Sequence, residues 1–286
     1  MSPPASSAVC RPSLSVVTPS LNQLVFLRRC VQSVAAQDYP TVEQIVIDGG
    51  SSDGTREFLA SRPGVVTYWQ SEPDRGQSHA LNLGFARASG EWVGWQNADD
   101  FYLPAAFERF AAGVARYPEA MVVVGDTALT GSTGAMNGTI GICPVPATRW
   151  LEGFWPYNQA MFFRRALLER VGALDESLRL HMDTDLLARV ALLAPPVVYR
   201  IEVLGAFRKH SGGKTLAGEF DSESQRERTT LELRYGRKLW PQGPRARLVH
   251  RLQSHTLRFA AFGMAGLVQR TTQRTAMILR AEPVLR

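Results

Sequence analysis

The sequence predicts an α/β chain, a mostly parallel sheet flanked by helices with a C-terminal helical tail. Three observations predict it. Short strand-like runs alternate with amphipathic stretches through the first part of the chain, at the spacing of βαβ units. Four of these runs end in polar or acidic clusters, as strands of a parallel sheet do where they meet a ligand. From about residue 220 the alternation stops and basic residues take over.

The elements follow in order. Leu14–Thr18 is a β-branched run stopped by Pro19, and Asn22 is an expected N-cap. Leu24, Leu27, Val31 and Val34 recur at three- and four-residue steps, which predicts a helix. Val42–Asp48 and Val65–Gln70 are the second and third strands, with a short helix carrying Phe58 and Leu59 between them. A helix from Ser78 leads to the strand Trp92–Trp95, and further elements are a helix near 104–117 and the strand Met121–Val124. Residues 126–158, rich in Gly, Thr, Pro and Trp, lack periodicity and are expected as extended segments and loops over a binding site. Gln159–Phe163 is a strand, Arg164–Val171 a helix closed by Gly172, Asp183–Leu193 a helix ended by Pro195 and Pro196, and Val203–Arg208 the last strand.

This divides the chain into a disordered lead-in at 1–12, an α/β domain at 13–218 and a basic helical extension at 219–286. The start lacks a charged n-region and an apolar h-region, so no signal peptide is expected. No apolar run approaches the ~20 residues of a spanning helix. Cys10, Cys30 and Cys143 have no C-x-x-C spacing, which argues against a disulfide framework or a thiolate zinc site and suits a reducing, cytoplasmic setting. A net charge of +6 suggests anionic partners. The tail holds Arg245, Arg247, Arg251, Arg258, Arg270, Arg274, Arg280 and Arg286 around an apolar patch from Leu257 to Val268. Two readings stand for 245–280: peripheral contact with the cytoplasmic face of a membrane, or packing on the domain or on a second copy in a homo-oligomer. Nucleic acid is disfavoured, because the tail lacks interleaved aromatics and any DNA-reading motif.

Chemistry concentrates at four strand ends: Thr18 to Ser20, Asp48 to Asp53, Glu72 to Gln77 and Asn97 to Asp100. Parallel strands bring such ends to one edge. Gly49–Gly54 has neither the dinucleotide fingerprint nor the P-loop pattern, so a nucleotide's phosphates need another source of positive charge. A divalent cation (Mn²⁺ or Mg²⁺) on Asp99 provides one. The competing reading is that Asp99 and Asp100 only cap the helix that follows.

The runs Leu14-Ser-Val-Val-Thr-Pro-Ser-Leu-Asn22, Ile45-Val-Ile-Asp-Gly-Gly-Ser-Ser-Asp-Gly-Thr55, Ser71-Glu-Pro-Asp-Arg-Gly-Gln77 and Asn97-Ala-Asp-Asp100 closely resemble family 2 inverting glycosyltransferases of the Rossmann-like GT-A fold. The likeness continues through Asn158–Arg165, Gly172–Leu178, Met182–Leu186 and Phe207–Ser211, and covers roughly 13–215 in the right order. The resemblance implies a nucleotide-sugar donor, most naturally UDP-linked, and a glycan or lipid-linked saccharide acceptor in polysaccharide or glycoconjugate synthesis. It implies that Thr18 and Pro19 border the base, that Asp48 accepts from its ring N–H, and that Asp53 and Arg75 hold that end of the donor. Asn97 takes the ribose position of the family's D-x-D motif, Asp99 the metal position with Asp100 behind it, and His210 a histidine that reaches the metal or diphosphate in some relatives. Arg208 and Lys214 are candidates to meet phosphate, or are solvated charges.

An inverting transfer needs a base for the acceptor hydroxyl. Met182-Asp183 stands at the family's Glu-Asp position, so Asp183 is the favoured catalytic candidate and Asp185 the other; an acidic first helical turn explains both without catalysis. Trp155 and Gln159 are expected on the acceptor side, unless Trp155 is core. Asn97 and Met182 depart from the family's commoner acids, and so a silent nucleotide-sugar-binding protein or scaffold on the same fold is the alternative.

Overall fold

The computed structural model describes residues 11–61, 63–213, 221–241, 248–250, 252–257 and 259–261. Among them, nine strands form one sheet in the order β3-β2-β1-β4-β8-β6-β9-β5, with β7 paired to β6. The strands are β1 (Leu14–Ser20), β2 (Val42–Asp48), β3 (Val66–Ser71), β4 (Trp92–Trp95), β5 (Phe101–Tyr102), β6 (Val122–Thr130), β7 (Met136–Ile140), β8 (Met161–Arg164) and β9 (Val197–Arg208). The helices are α1 (Leu24–Ala35), α2 (Thr55–Ala60), α3 (Gln77–Arg87), α4 (Ala106–Arg116), α5 (Arg165–Val171), α6 (Met182–Leu192) and α7 (Asp221–Tyr235).

The half made of β1 to β4 is parallel, as expected, whereas β8 runs antiparallel between β4 and β6 and makes the whole sheet mixed. Alternation along the strands builds two cores. Val17, Ile45, Ile47, Val93 and Trp95 meet α3, α5 and α6 on one face. Leu14, Val16 and Trp92 meet α4 on the other, and Val46 meets α1 and α2.

Three differences from the sequence reading have physical causes. Pro19 does not end β1 but pairs with Ile47 inside it. The β1–β4 pairing stops at Val17, so no partner needs the N–H that proline lacks. Asn22 is not the cap of α1; the Leu24 N–H donates to Asp53 Oδ2 at 2.8 Å, a cap supplied by another loop. The region 126–158 is more regular than its composition suggests. β6 continues to Thr130 and turns into β7, and a 3₁₀ turn spans Ala147–Glu152. Asp126, Thr127 and Thr130 are buried polar residues, which is why apolar periodicity fails there.

The lead-in before residue 11 and most of the arginine-rich tail, 262–286 included, lie outside the described residues. Residues of α7 and just after it belong to the main core: Leu231 and Leu239 are fully buried in the same cluster as α6. In the helical residues 248–250, 252–257 and 259–261, Leu257 packs on that cluster while Leu248, Val249, Leu252 and Phe259 are exposed. Among the described residues no helix is long and apolar enough to cross a membrane.

Candidate active site

β1 and β4 are neighbours in the sheet, although β2 and β3 intervene in the chain. Strand order reverses there, and ligands of open α/β sheets bind outside the carboxyl ends at such a point. The segment after β4 lies there, and it is not a helix cap. It leads into β5, which pairs with β9 through Phe101 and Ala206, and α4 begins without a side-chain cap. That pairing sets Asp100 beside Arg208, whose backbone N–H donates to Asp100 Oδ1 at 2.9 Å.

Asp100 is buried and its Oδ2 also accepts from Gln159 Nε2 (2.8 Å) and Asn97 Nδ2 (3.2 Å). Burial, with the charge of Asp99 beside it, raises its pKa to about 8 against the pull of these three donors. Asn97 is committed to the protein. Its Oδ1 accepts from Trp95 Nε1 (2.7 Å) and Gln77 Nε2 (2.9 Å), which leaves a single amide hydrogen for the expected ribose contact.

Asp99 is half-buried and its Oδ2 lies 3.0 Å from His210 Nε2. Phe26 packs against the His210 ring at 4.5 Å between centroids. Adjacent ligands of a six-coordinate ion at roughly 2.1 Å are about 3.0 Å apart, so this carboxylate–imidazole pair fits two positions of one cation. Among the described residues no third His, Cys, Asp or Glu completes a cage. Mg²⁺-type sites use few protein ligands and take the rest from phosphate and water. Arg208 stacks its guanidinium over Phe26 and Phe101, with Nε and Nη2 unpaired inside the protein. Its charge sits beside Asp99 and Asp100.

The other donor-side residues occupy the same edge in different states. Asp48 is fully buried and accepts from Ser51 N–H (2.9 Å), the Ser51 hydroxyl and Ser71 Oγ (2.8 Å). Thr18 is buried and accepts from Gln44 Nε2, and Pro19 is buried beside it in β1. Asp53 accepts from Leu24, from the Thr55 N–H and from Thr55 Oγ1, so its carboxylate ties α1 to α2. Burial works to raise its pKa, but these hydrogen bonds outweigh it and leave it lowered. Arg75 is exposed at the rim and held by Glu176 at 2.7 Å.

Asp183 and Asp185 part company on α6. Asp185 is 1% exposed and saturated: Arg189 holds Oδ2, while Arg234 Nη1 and Tyr235 OH each donate to Oδ1 at 2.7 Å. Those contacts lock α6 to α7 and occupy both carboxylate oxygens of Asp185. Among the described residues, Asp183 accepts only from its own helix, from the Thr184 N–H (2.7 Å) and hydroxyl. Burial raises its pKa, with a further push from Glu227. Tyr157, 41% exposed, feels the Asp183 charge. Two residues on, Gln159 reaches Asp100. Gln159 is buried and supports Asp100 through Nε2, while its Oε1 has no partner among the described residues. A glycine in β9 allows this burial: a Cβ at Gly205 would lie 1.8 Å from the Gln159 carbonyl oxygen. Trp155 donates Nε1 to the Leu239 carbonyl (3.1 Å) and, with Phe154, Tyr157, Cys143, His250 and Ser254, lines a cavity of about 230 Å³.

Residues 15–168 match the family described as glycosyl transferase family 2. An uncharacterized glycosyltransferase of Mycobacterium tuberculosis is 35% identical over 198 residues, covering 66% of this chain and 72% of the relative. The chain belongs to glycosyl transferase family 2. Another member, a PGL/p-HBAD biosynthesis glycosyltransferase of Mycobacterium bovis, is 28% identical over 178 residues, 61% of this chain and 68% of the relative. Among solved structures, residues 1–349 of S. aureus TarS in complex with UDP-GlcNAc give a TM-score of 0.61 at 19% identity, over 72% of this chain and 61% of that one. The mannosyltransferase PcManGT from Pyrobaculum calidifontis, in complex with GDP-Man and Mn²⁺, gives 0.57 at 18% identity, over 94% and 76%. These two carry the fold likeness, and this family member has the mixed α/β architecture they share. It is a glycosyltransferase. The sequence reading missed Tyr157, Gln77 and Glu227; Gln77 stood inside a quoted motif, whereas nothing in the sequence marks the other two.

Proposed function

We propose that the chain transfers a sugar from a UDP-linked donor to a hydroxyl of a glycan or lipid-linked saccharide, in a single displacement that inverts the anomeric centre. One observation carries the reading: in the segment Tyr157–Gln159, at most about 7 Å of backbone between its ends, Tyr157 lies within the field of Asp183 while the Gln159 amide donates to Asp100 at 2.8 Å. We read this as bringing a carboxylate base toward the edge that carries the Asp99–His210 pair. Asp99 and His210 would hold a divalent cation, Mn²⁺ or Mg²⁺, which supplies charge stabilisation for the departing nucleoside diphosphate. Asp100, held by the Arg208 N–H, Gln159 and Asn97, braces the segment that carries Asp99, and Arg208 offers guanidinium hydrogens without a partner among the described residues.

Asp183 takes the proton of the acceptor hydroxyl, and its raised pKa makes it a stronger base than an ordinary aspartate. Asp48 retains one lone-pair position beyond its three donors, which suits the ring N–H of uracil. The TarS complex with UDP-GlcNAc supports a UDP donor. The cavity beside Tyr157 and Trp155 is the acceptor side, where aromatic faces suit a sugar ring. The exposed Leu248, Leu252 and Phe259, in an arginine-rich stretch of sequence, suit the surface of an anionic membrane and access to a lipid-linked acceptor.

The experiment is a thermal-shift panel of UDP, GDP and dTDP with and without Mn²⁺, followed by turnover of the corresponding hexose donors. UDP is expected to stabilise the protein only with Mn²⁺, by about 2.7 kcal/mol at a hundredfold excess over Kd, and a UDP-sugar to be turned over. Met182, buried where the family carries an acid, favours a second reading as a silent nucleotide-sugar binder. UDP stabilisation without turnover of any donor decides for that reading, and no nucleotide effect at all sinks both.

A further inference from the structure

We propose that Glu227, on the helix α7, is a positioning residue for Asp183 and fixes the backbone from which the base is presented. The inference rests on the reading of Asp183 as the base. Glu227 is 7% exposed, and its carboxylate gathers three successive backbone N–H groups just ahead of α6. Arg179 donates to Oε1 at 2.7 Å, and Leu180 and His181 donate to Oε2 at 3.0 and 2.9 Å. Consecutive amides converging on one anion hold a chain more rigidly than isolated bonds. The next two residues are Met182 and Asp183.

The helix α6 has no cap of its own. His181 stands at its N-cap position without a side-chain bond to the helix; the ring instead meets Ser224 Oγ at 2.9 Å and packs against Trp240. Two turns further along α7, Arg234 and Tyr235 hold Asp185, and Arg234 also pairs with Asp175. The two clamps fall on either side of Asp183, at 179–181 and at 185. A helix outside the stretch matched to the family therefore sets where the base stands.

Among the described residues, the groups of other elements coupled electrostatically to Asp183 are Tyr157, from the turn before β8, and Glu227 itself. Removing the Glu227 charge therefore moves the acid limb of the rate profile to lower pH, a readout that a purely structural role does not give. Glu227→Gln keeps the shape but leaves one acceptor for three donors. Its kcat for donor hydrolysis, read as UDP released from the UDP-hexose turned over with Mn²⁺, is expected to fall by roughly ten- to a hundredfold with an unchanged donor KM, because small misplacements of a base cost that much.

Glu227→Asp, one methylene shorter, is the fallback if the glutamine variant does not fold; it is expected to lose severalfold in kcat with the same unchanged KM. Wild-type kcat and an unmoved acid limb in whichever variant folds overturn the proposal, even if the melting temperature drops. Asp183→Asn in the same assay separates the two failures. If it keeps full turnover, the base reading falls and takes this proposal with it; if it is inactive while the Glu227 variants are normal, Glu227 alone is wrong.

Discussion

The two groups of candidate residues are built on different plans. The group on β1, β2 and β4 takes its polar groups from strand ends, and each reaches the edge because its own strand stops there. The other group, around Asp183 on α6, is held by side-chain bonds that cross the chain at long range, Glu227 to 179–181 and Arg234 to Asp175 and Asp185. The first kind of site is written into local sequence. The second exists only once distant helices have docked.

This contrast is open to direct attack, beginning with the largest effect. Asp99→Ala removes the carboxylate of the metal pair and is expected to cost about a thousandfold or more in turnover, with loss of the Mn²⁺-dependent UDP stabilisation; thermal shift and kinetics read both. In the other group, Asp183→Asn should lower kcat by about 10²–10⁴-fold while UDP affinity stays within twofold.

The pH profile tests the same residue. A base works only when ionised, and a raised pKa means that ionisation is lost at a higher pH as the solution is acidified. The acid limb of kcat is therefore expected above the ordinary aspartate value of about 4. A limb at or below that value would argue against a buried base.

Stability effects come next in size. Asp185→Asn leaves Arg189 and Arg234 facing a neutral amide and should destabilise the fold by about 2–3 kcal/mol, less than a fully enclosed pair because both arginines are partly exposed. Denaturant melts measure it, and the folded fraction should keep more activity than Asp183→Asn does. Smallest of all, Arg75→Ala breaks an exposed pair with Glu176 and should change stability by under about 1 kcal/mol. A large loss of donor affinity in that variant would show that Arg75 leaves Glu176 for the nucleotide.

The same contrast explains what could be read in advance. The strands and helices up to Trp95 were legible because apolar periodicity and strand-end chemistry agree there. Asp99, Asp100 and His210 were found as motif positions, and β5 and β9 bring them together. The capping role of Asp53 was not legible, because a carboxylate that caps a helix from another loop has the same local sequence as one that meets a ligand. For Gln159, sequence places it near the site but does not give the direction of its amide, which donates to Asp100. Glu227 was illegible because α7 carries acids and bases on all sides, and only docking selects the one that meets 179–181.

A chain cut where the family likeness ends, near residue 215, would strand three backbone N–H groups ahead of α6, strip Asp185 of two donors and open the core around Leu231 and Leu239. The smallest piece that can be expected to fold and be transplanted whole is therefore longer than the recognisable domain, and it extends at least to Leu239.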